Sequence, residues 1–324
     1  MPILCKIHRG DFIESIHVAY AVVVNGEGEI VYSSGDPHYL TCVRSTLKPF
    51  QASATVKEGA TKAVGFTPAE SALMCASHNG EDIHVKTAES MLKKIGYDTS
   101  HYECGTHLPY DKESKIKLIQ NDEKPSALHN NCSGKHAGML CLAKHLQEDP
   151  KGYTDPDHPV QQLIMKQVKR FSELDEFPLV TDGCSAPVPF LPLFNIALMY
   201  QKFASGNYDE LNTLFDAVTS NSYLIAGKDR FDTDFIEVMD GKAVAKVGGE
   251  GVRGLGIRAA NGAVYGIVLK VLDGNQRCNP IATMSVLEEM DLLTKNQSEK
   301  LSPYKKTVIR NHRKIETGII AVEL

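Results

Sequence analysis

Strand-forming segments stand near both ends of this chain with helix-forming segments between them, and that order restricts the fold more than any other feature. Residues 16–24, Ile-His-Val-Ala-Tyr-Ala-Val-Val-Val, are β-branched and apolar and read as a strand. Asn25-Gly26-Glu27-Gly28 is a turn, and Ile30-Val31-Tyr32 begins a second strand, a hairpin signal. Strand character returns over residues 244–272, where Ala259-Ala260-Asn261-Gly262-Ala263 is a turn between 252–258 and 264–272. Hairpins so far apart in the chain are expected to share one antiparallel sheet, with the intervening chain making a helical lobe, an α+β architecture. The sheet lobe is expected over about 1–45 and 240–324, and the helical lobe over about 46–239.

The middle has clear helix grammar. Residues 45–58, 67–76, 82–95, 132–146, 158–173 and 190–203 read as helices, followed by a last one over about 280–293. Thr67-Pro68-Ala69-Glu70 is a capping box with proline at the first helical position, and Gly96 stops the segment before it. Asp182 to Pro192 is different: three prolines, a glycine and Cys184 with few charges predict a buried irregular loop, the kind that shapes sites.

Composition excludes several partners. The formal net charge is −5, so no basic face for nucleic acid is expected. No 18-residue apolar run exists, and Met1-Pro2-Ile3-Leu4-Cys5-Lys6 lacks a signal peptide's apolar core, so a cytoplasmic location away from membranes is expected. The eight cysteines are then expected as reduced thiols, and no C-x-x-C pair occurs among them.

The run Arg44-Ser45-Thr46-Leu47-Lys48-Pro49-Phe50-Gln51 carries the first candidate chemistry. Residues i and i+3 share a helix face, so Ser45 and Lys48 can meet as nucleophile and base, the S-x-x-K arrangement of serine acyl-transfer enzymes. Pro49 belongs in a first helical turn, so a helix starting near Ser45 is expected, with the serine at its positive end. Ser90/Lys93, Ser114/Lys117 and Ser302/Lys305 have the same spacing in sequences that read as solvated surface. Only Ser45 precedes a small and apolar stretch.

Two further runs follow in order. Cys75-Ala76-Ser77-His78-Asn79-Gly80-Glu81 places an S-x-N on a turn beyond a helix, and Ala245-Lys246-Val247-Gly248-Gly249-Glu250-Gly251 is a K-x-G. A helix cap at Ser77 and an exposed strand lysine at Lys246 are the bland alternatives. The order S-x-x-K, S-x-N, K-x-G resembles that of penicillin-recognising serine enzymes and serine-type glutaminases. Lys270, ending an apolar strand, is either an edge residue or a desolvated base. His129-Asn130-Asn131-Cys132-Ser133-Gly134-Lys135-His136-Ala137-Gly138 concentrates thiol, amine and imidazole groups. With Cys184 it could offer two thiolates and an amine to zinc, although lysine is a rare ligand. Otherwise Lys135 holds a loop carbonyl or a substrate carboxylate.

Arg-Ser-Thr-Leu-Lys-Pro-Phe-Gln (44–51), Ala-Ser-His-Asn-Gly-Glu (76–81), His-Asn-Asn-Cys-Ser-Gly-Lys-His-Ala-Gly (129–138), Asp-Gly-Cys-Ser-Ala-Pro (182–187) and Lys-x-Gly-x-Glu-Gly (246–251) together resemble the rhizobial-type L-asparaginases, over essentially the whole chain. The resemblance implies a serine β-lactamase/glutaminase-like fold, a homodimer, and hydrolysis of L-asparagine to L-aspartate and ammonia. It implies two serine–lysine tandems, Ser45 with Lys48 and Ser77 with Lys270. It also implies a zinc site at Cys132, Lys135 and Cys184 that tunes substrate binding more than it drives chemistry. A cysteine the family carries beyond the Glu-Gly pair has no counterpart here; Gly254 stands near that position. Arg44, His136, Asp182 and Lys246 are the candidates for holding the substrate's α-carboxylate and α-amine, Arg44 foremost because arginine pairs bidentately with carboxylates. A glutaminase or broader amidase, and a non-catalytic zinc- or amino-acid-binding protein, are the alternatives.

Overall fold

A computed structural model describes residues 1–322. The chain forms two compact units: residues 1–46, 191–205 and from 238 onward make the first, and residues 47–190 with 206–237 the second.

An antiparallel sheet of eight strands builds the first unit. From one edge to the other the order is Thr307–Arg310, Glu316–Val322, Ile3–Arg9, Phe12–Val24, Val264–Val271, Val252–Arg258 and Ala243–Gly248, with Ile30–Ser34 also paired to Phe12–Val24. The expected union of the two distant hairpins occurs where Phe12–Val24 meets Val264–Val271, in register from Ala19↔Val271 to Val24↔Gly266. Over this register the two strands are mostly buried and rich in Val, Ile and Leu, so they bury the most apolar surface when placed centrally. Ile3–Arg9 and the hairpin Thr307–Arg310/Glu316–Val322 are additional to the strands read from sequence. In Ile3–Arg9 the buried Ile3, Cys5 and Ile7 alternate with Leu4, Lys6 and His8, and the interleaved charges mask the pattern.

A helix covers each face of this sheet. On one face Ile7 and Ile320 pack with Ile281 of the helix Asn279–Glu289. On the other, glycines admit the helix Leu193–Ala204 to the strand backbones. A Cβ on Gly266 would lie 1.9 Å from the Ala197 carbonyl oxygen, and one on Gly254 would lie 2.1 Å from the Tyr200 ring. Glycine inside a strand weakens it, and here it makes room for a close approach. This mid-chain helix therefore belongs with the sheet.

The second unit is helical around Lys48–Lys57, which packs against Ser133–Leu146, Pro159–Ser172 and Asp209–Ser220. Thr67 and Glu70 form the expected reciprocal capping box on Pro68–Met74, and Gly96 ends Asp82–Ile95 in the left-handed conformation at φ 72°. Helix Ser133–Leu146 crosses Pro68–Met74 closely, because a Cβ on Gly134 would lie 2.2 Å from the Leu73 carbonyl oxygen. The segment expected as an irregular loop is partly a strand: Pro187–Pro192 pairs antiparallel with Leu179–Thr181. Only the turn between them is irregular, closed by Asp182 N–H to the Ala186 carbonyl at 2.9 Å. Among the described residues no helix is long and apolar enough to cross a membrane.

Candidate active site

The Arg44–Leu47 segment is a 3-10 turn, and the α-helix begins only at Lys48 with Pro49 in its first turn. The helix expected to start near Ser45 is thus 3-10 over Arg44–Leu47 and α only from Lys48. Arg44 has φ 48°, a left-handed conformation that costs an L-residue roughly 1–2 kcal/mol and bends the chain just before Ser45. The Lys246-Val247-Gly248-Gly249 motif explains how that bend is seated. A Cβ on Gly248 would lie 3.1 Å from the Val43 carbonyl oxygen and 3.3 Å from Arg44 Cβ; one on Gly249 would lie 3.0 Å from the Arg44 guanidinium. The two glycines admit the Ser45-bearing turn to the end of the strand.

Both candidate lysines of the first unit, Lys246 and Lys270, are buried, so neither is an exposed strand residue. Lys246, 2% exposed, donates from Nζ to the Val247 carbonyl at 2.7 Å. Lys270 Nζ donates to the Glu250 carbonyl at 2.6 Å and to the Val271 carbonyl. Burial lowers the Lys270 pKa, against the opposing charges of Glu250 and Asp273.

In the second unit Lys48 is 1% exposed. The side chains of Lys93, Lys117 and Lys305 are 72%, 61% and 34% exposed and pair with Glu89, Asp82 and Glu288, so burial separates one S-x-x-K lysine from the other three. Lys48 Nζ donates to the Ala76 carbonyl at 2.5 Å, to Ser77 Oγ at 2.9 Å and to the Asn131 carbonyl at 3.2 Å. Lysine has three donors, and these acceptors aim it at Ser77. The Asn131 carbonyl is a site member that sequence reading missed, since a backbone acceptor leaves no residue-type signal.

Ser77 and Asn79 are buried, and do not present an exposed hydroxyl and amide. Ser77 N–H donates to the Ile225 carbonyl at 2.9 Å and Asn79 N–H to the Ala226 carbonyl at 2.8 Å. The Asn79 side chain accepts from Arg230 at 2.6 Å and donates to the Lys228 carbonyl at 3.0 Å, so it clamps the turn that carries Ser77. His78 is fixed as well. Its Nδ1 accepts from Gly80 N–H at 3.1 Å, which puts the proton on Nε2 facing Ser133 Oγ at 2.9 Å. Burial, then the neighbouring His84 and Lys48, hold His78 well below the usual imidazole range.

The thiol cluster gathers as its sequence suggests. Lys135 Nζ lies 2.8 Å from Cys184 Sγ, and Cys184 Sγ lies 3.4 Å from Asp182 Oδ2. The hydrogen bond from Cys184 holds Cys132 well below the usual thiol range despite burial, helped by the charges of Lys48 and Lys135. Ser185, beside Cys184, has φ 72°, a left-handed conformation that bends the chain there. Glu103 N–H donates to Tyr153 Oη at 2.9 Å, so the tyrosine proton goes to His136 Nδ1 at 2.6 Å. His136 then carries its own proton on Nε2, near Cys184 but without a hydrogen-bond partner in good geometry, and burial pushes its pKa down to about 4. Among the described residues no three His, Cys, Asp or Glu side chains are placed to hold a metal. Cys132, Lys135 and Cys184 make a set of three only through the lysine amine, which would have to lose its proton to serve as a ligand beside the two sulfurs.

A family model for L-asparaginase II matches residues 5–322. No curated protein gives a significant match. Among solved structures, Mglu in its native form in 4.3 M NaCl aligns at 14% identity and a TM-score of 0.36, covering 85% of this chain and 61% of that one. Mglu in its tris and glutamate form aligns at 13% identity and a TM-score of 0.37, over 85% and 59%. The chain thus spans about three fifths of these proteins' length. At such scores the likeness carries no argument about the site.

Proposed function

The chain belongs to the L-asparaginase II family, and we propose that it hydrolyses L-asparagine to L-aspartate and ammonia through a serine activated by lysine. The observation that carries the mechanism is the buried Lys48 Nζ, 2.9 Å from Ser77 Oγ and three residues beyond Ser45 in one helical run. Ser45 Oγ attacks the side-chain amide carbon, and its proton passes to the Lys48 amine acting as general base, directly or through Ser77. Ammonia leaves with a proton, and water then cleaves the aspartyl ester to regenerate the serine. Backbone N–H groups of the Arg44–Leu47 turn are the donors we assign to the oxyanion. Arg44, His136, Asp182 and Lys246 are assigned to the substrate's α-carboxylate and α-amine, and Lys270 to the second serine–lysine tandem.

One contact favours a second reading. Ser77, whose hydroxyl touches the base, is itself the nucleophile. Trapping the acyl-enzyme in acid and mapping the modified peptide distinguishes Ser45 from Ser77.

We further assign zinc to Cys132, Lys135 and Cys184; when bound, it would tune substrate binding rather than drive the chemistry. Metal analysis of purified wild type and Cys132→Ser is expected to show zinc in the first and little in the second. A homodimer in the cytoplasm completes the proposal, checked by sedimentation and cell fractionation. The primary test is ammonia release from asparagine and from glutamine, by wild type and by Ser45→Ala. Asparagine-selective turnover lost in Ser45→Ala is expected. Equal turnover of glutamine would make the protein a broader amidase, because one methylene is worth only about 1–3 kcal/mol in a pocket. Ammonia release from neither amide would leave a binding protein.

A further inference from the structure

The Arg44–Leu47 turn has a backbone group its own helix cannot serve fully. A 3-10 bond to the Thr46 carbonyl would come from residue 49, and Pro49 has no N–H. A side chain from elsewhere in the same unit supplies a donor: Tyr200 Oη donates to the Thr46 carbonyl at 2.8 Å. Tyr200 is fully buried on the helix Leu193–Ala204, and that helix is set against the sheet by its fit to glycines. A Cβ on Gly254 would lie 2.1 Å from Tyr200 Cε2 and 2.4 Å from its Cζ, so the ring fills the space that any other residue at 254 would occupy. A Cβ on Gly256 would lie 2.7 Å from the Tyr200 carbonyl oxygen, so the backbone of the tyrosine is seated as well. Thr46 adds local bonds, from Oγ1 to the Val43 carbonyl at 2.6 Å and from N–H to the same carbonyl at 3.2 Å.

We infer that Tyr200 is the positioning residue for the Ser45 turn: its hydroxyl, held by a ring locked over Gly254, fixes the Thr46 peptide and with it the approach of the serine. The inference rests on the reading that Ser45 is the reacting serine. A core tyrosine needs some acceptor for its hydroxyl, but a merely structural hydrogen bond would be felt in stability and not in turnover. Misplacing a nucleophile by a fraction of an ångström is felt in turnover.

The test is Tyr200→Phe, which keeps the ring and removes the hydroxyl. The expected result is a fall in kcat for L-asparagine of about tenfold or more, per titrated active site, with KM within about threefold and Tm within a few degrees of wild type. Labelling of Ser45 by a fluorophosphonate should slow in proportion. An unchanged kcat per titrated site, or a loss confined to Tm, overturns the inference. Ser45→Ala, assayed alongside, separates the two claims. If it keeps wild-type turnover, the reading of Ser45 is wrong; if it is inactive while Tyr200→Phe turns over normally, only the role of Tyr200 falls.

Discussion

Four lysines share the S-x-x-K spacing, and only Lys48 loses nearly all contact with water. Lys93 and Lys117 lie on helix surfaces and Lys305 in a turn, and all three meet carboxylates, in pairs worth little. Lys48→Met keeps the length and removes the amine. It is expected to lower kcat for asparagine by about 10²–10⁴-fold, the usual worth of a general base, and steady-state kinetics checks it. Gly254 shows the same dependence on surroundings. A side chain there has no room in this chain, since the Tyr200 ring occupies the space it would need.

At the scale of elements, the helix ends were legible from sequence where side chains cap them. Thr67 with Glu70, and Gly96 after Ile95, occur where the local chemistry requires them. Glu70 itself is buried. Burial would raise its carboxyl, but Lys94, the Thr67 N–H and Ser90 together hold it below its usual range. Thr67→Ala is expected to cost about 1 kcal/mol of stability, read from urea unfolding. The start of the Lys48 helix was less legible, because Pro49 fits a first turn wherever that turn begins. Elements crossing through small residues were silent too: Gly134 reads as a weak helix residue until the Leu73 carbonyl is seen against it. Gly134→Ala is expected to destabilise by roughly 1–3 kcal/mol through overpacking, against the gain its helix propensity would otherwise bring, measured in the same unfolding experiment.

The whole molecule responds to pH through buried imidazoles. His78 and His84 stack at 4.8 Å with rings 9° from parallel. Burial is the first cause lowering the pKa of each below the ordinary imidazole value. A folded pKa below the unfolded one means that unfolding takes up protons. The contribution of this pair is therefore complete above about pH 7 and is lost progressively as pH falls below about 6.5 toward the lowered folded values. Calorimetry is expected to show Tm falling between about pH 7.5 and 5.5, and His84→Gln should flatten that fall. A Tm independent of pH over this range would contradict the assignment of neutral imidazoles. The sequence by itself determined the α+β order of elements, most helix ends and the residues that could react, because propensity, capping and residue type act over a few neighbouring positions. Tertiary structure decided which lysine is dry, which carbonyls aim it at Ser77, why the glycines at 248, 249 and 254 are glycines, and which helix covers the sheet. Those properties depend on atoms brought together from distant parts of the chain, and desolvation and close packing exist only once those atoms meet.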